Sequence, residues 1–260
     1  MITRLSLRTG VLAYLAAILL VPVGLVFWRT FEHGVGPAWD AVTTPDAQHA
    51  FWLTLEIAAM SVPLNTIFGV LCALAIVRRR FPGKGLLNAV VDLPLALSPV
   101  VVGLALFLLY GRNGWFSSLP FQVLFATPSM VLATIFVSLP FVVREVVPVL
   151  REIGTDQEEA AATLGAGALA TFRRVTLPAI RWAIAYGVVL TTARSIGEFG
   201  AVSVVSGRIS GKTETLTLLV QDRYESFDVT GAYAASVVLA LIAIATLLLM
   251  TMFRPRAERA

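Results

Sequence analysis

Six long stretches of mostly apolar residues constrain this 260-residue chain more than any other feature: about 11–28, 51–77, 86–110, 128–150, 180–205 and 231–253. An α-helix rises ~1.5 Å per residue, so about 20 residues cross a hydrocarbon layer ~30 Å thick. The runs are continuous and do not alternate, which predicts helices and not barrel strands. Residues are 57% apolar and 14% charged, far from the balance of a soluble domain. The expectation is an all-α, polytopic membrane protein with one transmembrane domain over 1–260. The first run exceeds the ~7–15 residues of a signal-peptide core, and no small-x-small pattern closes it, so it reads as an uncleaved span.

An even number of spans places both termini on one side, and Lys and Arg decide which side. Fourteen of the twenty fall in the N-terminal segment, 78–85, 144–181 and the tail. Five fall in the segments between, and Arg194 lies inside a run. Both termini and residues 151–178 are therefore expected in the cytoplasm. Topology accounts for the net charge of +4, and nucleic acid is not an expected partner. Cys72, the single cysteine, cannot close an intrachain disulfide. His33 and His49 lie sixteen residues apart, wider than metal-ligand spacing, so no metal site is expected. No nucleophile stands at a usable spacing from a base, so no catalytic residues are expected. Residues 207–213, GRISGKT, fall one spacer short of a P-loop.

The runs carry polar residues that a simple anchor would not need. Glu56, Asn65, Asp92, Arg144, Glu145, Arg194 and Glu198 all lie within them, with Pro63, Pro94, Pro99 and Pro140. A charge at mid-membrane costs about 2.5–3.5 kcal/mol on insertion scales. A bundle enclosing a polar route would justify that cost, whereas the prolines alone are also explained by kinks for packing. Arg194 and Glu198 stand one helical turn apart on one face. They read either as an ion pair that locks the packing, or as a cation on an anion's route held in place by Glu198. Ser98, Pro99, Asn65, Ser138 and Thr191 are candidates for lining the same route, with Thr192 and Ser203.

Between the fourth and fifth runs lies EEAAATLGAGALATFRRVTLP, residues 158–178. Asp156, Glu158 and Glu159 suit a helix start, and Thr155 with Glu158 fits a capping box. Gly165 and Gly167 predict a break, followed by a second short helix through Leu169–Val175. Leu177-Pro178 then opens the next span. The product is a helix–turn–helix knob. The small side chains of Ala160, Ala161 and Ala162 let another backbone approach. The same segment also reads as an amphipathic helix lying on lipid headgroups.

Glu159-Ala160-Ala161, Gly165 four residues on, and Val175-x-Leu177-Pro178 resemble the EAA signature of ABC-importer permeases, with Val175 where Ile is usual. FVVREVVPVL, FRRVTLPAIRWA, YGVVLTTARSIGEFGAVSVVSGRI and DLPLALSPVVVGL resemble the sulfate/thiosulfate permeases of CysW type. The resemblance implies a six-helix, MetI-like permease bundle with cytoplasmic coupling helices. It implies that Glu159, Ala160, Ala161, Gly165, Leu177 and Pro178 serve docking to a dimer of CysA-type ATP-binding subunits. ATP and Mg would be held there, with no cofactor on this chain. It further implies a second, CysT-type permease in a heterodimer, an extracytoplasmic sulfate-binding protein, and the bacterial inner membrane. A molybdate- or tungstate-type permease, which often pairs with itself, is an alternative within the class. A secondary transporter working alone would show internal repeats, and none is clear here.

Overall fold

The computed structural model describes residues 2–118 and 120–253, and all regular structure among them is helical. A first helix, α1 (Ile2–Phe31), leads through α2 (Val35–Val42) to α3 (Pro45–Arg78). A bent pair follows, α4 (Lys84–Ala96) and α5 (Pro99–Tyr110), then α6 (Thr127–Glu152). Two short helices, α7 (Asp156–Thr163) and α8 (Ala168–Thr171), precede a π-helical turn, Phe172–Thr176. The last described elements are α9 (Leu177–Ile196), α10 (Gly200–Val205), α11 (Leu216–Glu225) and α12 (Val229–Phe253). Among the described residues five helical stretches are long and apolar enough to cross a membrane, or six if α4 and α5 count as one span. Arg254, Arg256 and Arg259, which contribute to the expected placement of the tail, lie outside the described residues.

Helix α3 begins on signals its sequence carries. Pro45 occupies the first turn, where its missing N–H costs nothing, and the Thr44 hydroxyl accepts the Ala47 N–H at 3.4 Å. The helix runs 34 residues, about 51 Å, with Pro63 inside it. Helices α3 and α6 run parallel. Asn65 Nδ2 donates to Ser138 Oγ at 2.7 Å and to the Ile135 carbonyl at 3.2 Å. Helix α9 returns antiparallel against both.

These three helices meet at a layer of two glycines and one valine. A Cβ at Gly69 would lie 2.7 Å from Val142 Cβ, and one at Gly187 would lie 3.0 Å from Val142 Cα. Val142 is fully buried between the two bare backbones. Toward the α7–α8 face, Val146, Leu150, Ile76 and Ile180 continue this core. In the opposite half Leu53, Met130, Val137 and Val202 form a second cluster.

Two expected spans are broken. The run 86–110 is not one rod: α4 and α5 meet at 111° across Leu97 and Ser98. Pro99 opens α5, and a residue before proline avoids the helical region, so Ser98 is extended. The run 180–205 likewise stops at Ile196 and resumes at Gly200 as α10. The two breaks pack on each other. A Cβ at Gly200 would lie 2.9 Å from Pro99 Cβ, and one at Gly103 would lie 2.6 Å from the Ala201 carbonyl. Only glycine admits this approach of α5 to α10. The second short helix also differs from expectation. Residues 168–196 form one continuous helical path, because the π turn carries α8 into α9 without a break.

Candidate functional site

The knob formed by α7 and α8 stands at the end of the bundle. Helix α7 closes in a Schellman motif: Gly165 N donates to the Ala162 carbonyl and Ala166 N to the Ala161 carbonyl, both at 3.0 Å. The motif requires a left-handed residue after the cap, and Gly165 has φ +83°. The spacing from the alanines to Gly165 is therefore the spacing of a helix stop. Ala160, Gly165, Arg173, Arg174 and Pro178 are exposed. Leu164 and Leu169 are 89% and 70% exposed. Leu169 lines a surface hollow with Arg173 and Arg174, an apolar and basic patch bared at the end of the bundle.

The two adjacent glutamates do different things. Glu159 is exposed and accepts the Thr155 hydroxyl at 2.7 Å. Glu158 turns inward. Its carboxylate accepts Arg78 Nη2 at 3.2 Å and the Thr176 hydroxyl at 2.8 Å, and lies 3.0 Å from Arg78 Nε. Arg78 also donates to the Leu150 carbonyl at 2.9 Å and the Gly154 carbonyl at 2.7 Å, at the end of α6. The expected capping box does not form, because the ion pair with Arg78 claims Glu158. Sequence reasoning passed over Glu158 and Arg78 as functional candidates. The available signal was an arginine at the end of one span and a doubled carboxylate at the start of the knob.

Within the bundle the candidate route residues separate. Asn65, Ser138 and Thr191 are at most 1% exposed, in the seam of α3, α6 and α9. Ser98 is exposed, and Pro99 beside it is partly so, at the α4–α5 break. Arg194 is 31% exposed by its side chain, and its Nη2 lies 2.7 Å from Glu198 Oε2. Glu198 is buried, and its other oxygen accepts the Ala201 N–H at 2.9 Å, in the first turn of α10. Its own carbonyl accepts the Thr217 hydroxyl at 2.9 Å. Glu198 therefore joins α9, α10 and α11. Burying such a carboxylate costs several kcal/mol unless it is paired and hydrogen-bonded, and here it is both. A second ion pair, Arg144 Nη2 to Asp92 Oδ2 at 2.6 Å, ties α6 to α4.

On the face opposite the knob, Glu214 is buried in the loop before α11. Burial pushes its carboxyl above the ordinary value of 4.5, Asp222 and Asp46 push the same way, and the Ser210 bond and Arg223 oppose. Below the ordinary value the group is protonated whether the chain is folded or not, so its ionisation makes no contribution to stability there. As pH rises above that value, ionisation favours the unfolded chain. Glu214→Gln is therefore expected to raise the thermal midpoint of the purified complex at about pH 8 but not at about pH 4. An equal rise at both would show that the gain is not one of charge.

The architecture is one of membrane-long helices around broken half-helices, with a knob at one end. Residues 65–259 match the family described as binding-protein-dependent transport system inner membrane component, and the chain belongs to it. It is a multi-pass membrane protein and a transport subunit. The sulfate transport system permease protein CysW of Synechococcus elongatus is 51% identical over 252 residues, covering 95% of this chain and 88% of that protein. The sulfate transport system permease protein CysT of Salmonella typhimurium is 42% identical over 241 residues, covering 91% and 87%. One solved structure is a bacterial alginate ABC transporter in complex with alginate pentasaccharide-bound periplasmic protein. One of its chains superposes with a TM-score of 0.79 at 17% identity, over 99% of this chain and 94% of that one. That likeness concerns the fold.

Proposed function

We propose that this chain is one permease half of an ATP-driven importer of sulfate and thiosulfate in a bacterial inner membrane. Both termini and the α7–α8 knob would face the cytoplasm. The observation that carries the reading is the exposed knob, closed at Gly165 and continuous through the π turn with α9. A partner that grips it has a rigid path into the membrane. That partner is a dimer of CysA-type ATP-binding subunits, which would hold ATP and Mg. Glu159, Ala160, Ala161 and Gly165 would serve the docking, with Leu177 and Pro178 at the root of α9. Because both CysW and CysT proteins are similar to this chain, a CysT-type permease is the proposed second half. A sulfate-binding protein would deliver the anion at the opposite face.

The route would run past the open face at the two helix breaks, where Ser98, Pro99 and Arg194 meet the surface. A tight fixed cation would trap a dianion, and a route must also release it. Pairing with Glu198 moderates Arg194. Asn65, Ser138 and Thr191 would serve instead to hold the helices that line the route. ATP binding by the partner would bias two packings of the paired bundles.

The test is ATP-dependent uptake in vesicles holding the chain with a second permease, the ATPase and the binding protein. Labelled sulfate should accumulate, thiosulfate should compete and molybdate should not. Arg194→Ala should lower uptake with the complex intact. Accumulation by the chain alone would sink the proposal, and competition by molybdate would reassign the anion.

A further inference from the structure

The knob touches the membrane body less than its position suggests. An open groove of about 570 Å³ runs between them, lined by Arg78, Arg79, Glu158, Ala162, Phe172 and Thr176 among others. The hydrogen bonds and ion pair described between side chains of α7 and the spans all run through Glu158. Without it, α7 hangs from the body by its two flanking segments, 153–155 and 164–167.

Glu158 reaches three spans at once. Arg78 is the last residue of α3, and Thr176 is the last residue before α9. Arg78 extends the bond to α6 through the Leu150 and Gly154 carbonyls, where a cation is favoured by the negative end of the helix. The side chains of Arg78 and Glu158 are 14% and 20% exposed, and Thr176 is 3% exposed. Water therefore screens this pair far less than a surface pair. Thr176 also closes the π turn, and such turns recur at functional positions in helices.

We propose that Arg78, Glu158 and Thr176 form the transmission node of the transporter. On this proposal α7 is gripped from outside, and Glu158 converts its displacement into a common movement of α3, α6 and α9. The three are positioning residues and need not touch the ATPase or the anion. The proposal rests on the ATP-driven reading above and adds which side chains carry the coupling. It also separates the two glutamates: Glu159 faces the partner, and Glu158 faces the spans.

The test uses the full importer in vesicles and measures anions transported per ATP hydrolysed. Glu158→Gln keeps the shape of the side chain and removes its charge. Thr176→Val removes one hydroxyl and is the milder change. The expected result is that hydrolysis continues while transport per ATP falls about tenfold for Glu158→Gln, within the usual range of coupling between sites, and less for Thr176→Val. Arg78→Lys keeps the charge but cannot reach two carbonyls and a carboxylate together, so it should also uncouple. An unchanged ratio in Glu158→Gln overturns the node. Should that variant fail to assemble, an unchanged ratio in Thr176→Val overturns it. Failure of the unmodified complex to hydrolyse ATP would count against the importer reading instead.

Discussion

Gly165→Trp is expected to abolish uptake while the chain still inserts and folds. Two features of the site make the prediction sharp. A Cβ at Gly165 meets nothing within 4 Å, so the chain itself has room for a side chain there. The backbone is left-handed at φ +83°, which costs an ordinary residue about 1–2 kcal/mol. That strain loosens the end of α7 without unfolding a bundle of this size. The indole then projects from the face that also bares Leu164 and Leu169. A partner seated there must give way, and losing about 2–3 kcal/mol of docking weakens binding about 30- to 150-fold. Gly165→Asn separates strain from bulk, because asparagine tolerates the left-handed region and is small. Asparagine should retain most of the uptake and pull down the ATPase, and tryptophan should do neither. Equal loss in both variants would assign the effect to the helix stop and remove Gly165 from the docking surface.

The spans were legible because the length and continuity of an apolar run are direct consequences of a hydrocarbon layer. The stop at Gly165 was legible too, since the Schellman motif ties its conformation to residues only three and four positions back. The breaks were not. Proline sits inside unbroken helix at positions 22, 63, 140 and 148, so proline alone does not mark where a span bends. What sets the 111° bend at Ser98 apart is the company of α10, about a hundred residues on, reached through Gly103 and Gly200. The doubled glutamate shows the same limit. Local pattern favours a capping box at Glu158, but an arginine 80 residues away decides which carboxylate turns inward. Asn65 and Ser138 are polar residues in apolar runs, and such residues either line a wet route or satisfy each other across a helix seam. Their 2.7 Å bond ties α3 to α6 here, and it depends on how the two helices are rotated together, which local sequence does not fix.

Gly187→Leu should prevent a stable complex from forming, because the layer around Val142 has no slack. The Cβ would meet the Val142 main chain at 3.0 Å and Glu145 Cβ at 3.6 Å. Val142 cannot retreat, since a Cβ at Gly69 would already lie 2.7 Å from it on the other side. The only relief is for α9 to move away from α6, which strips contacts along the whole seam. Overpacking of this kind costs about 1–3 kcal/mol and more where backbone blocks the way. For a chain of this size about 3 kcal/mol lowers the thermal midpoint by about 6–12 °C. The displaced α9 would also draw Thr176 from Glu158 at one end and Arg194 from its place at the other, so coupling and route would fail together. Gly187→Ala is the graded control. Its methyl is the same Cβ, 3.0 Å from Val142 Cα, so it should also destabilise, but less than leucine because nothing extends beyond it and alanine regains about 1 kcal/mol of helix propensity. Gly24→Leu on α1 is the spatial control, since nothing lies within 4 Å of its Cβ. If Gly187→Leu melts and transports like Gly24→Leu, the three-helix layer is not what holds the bundle together. If it alone collapses, the bare backbones at Gly69 and Gly187 are the condition for a membrane body rigid enough to pass motion from the knob to the route.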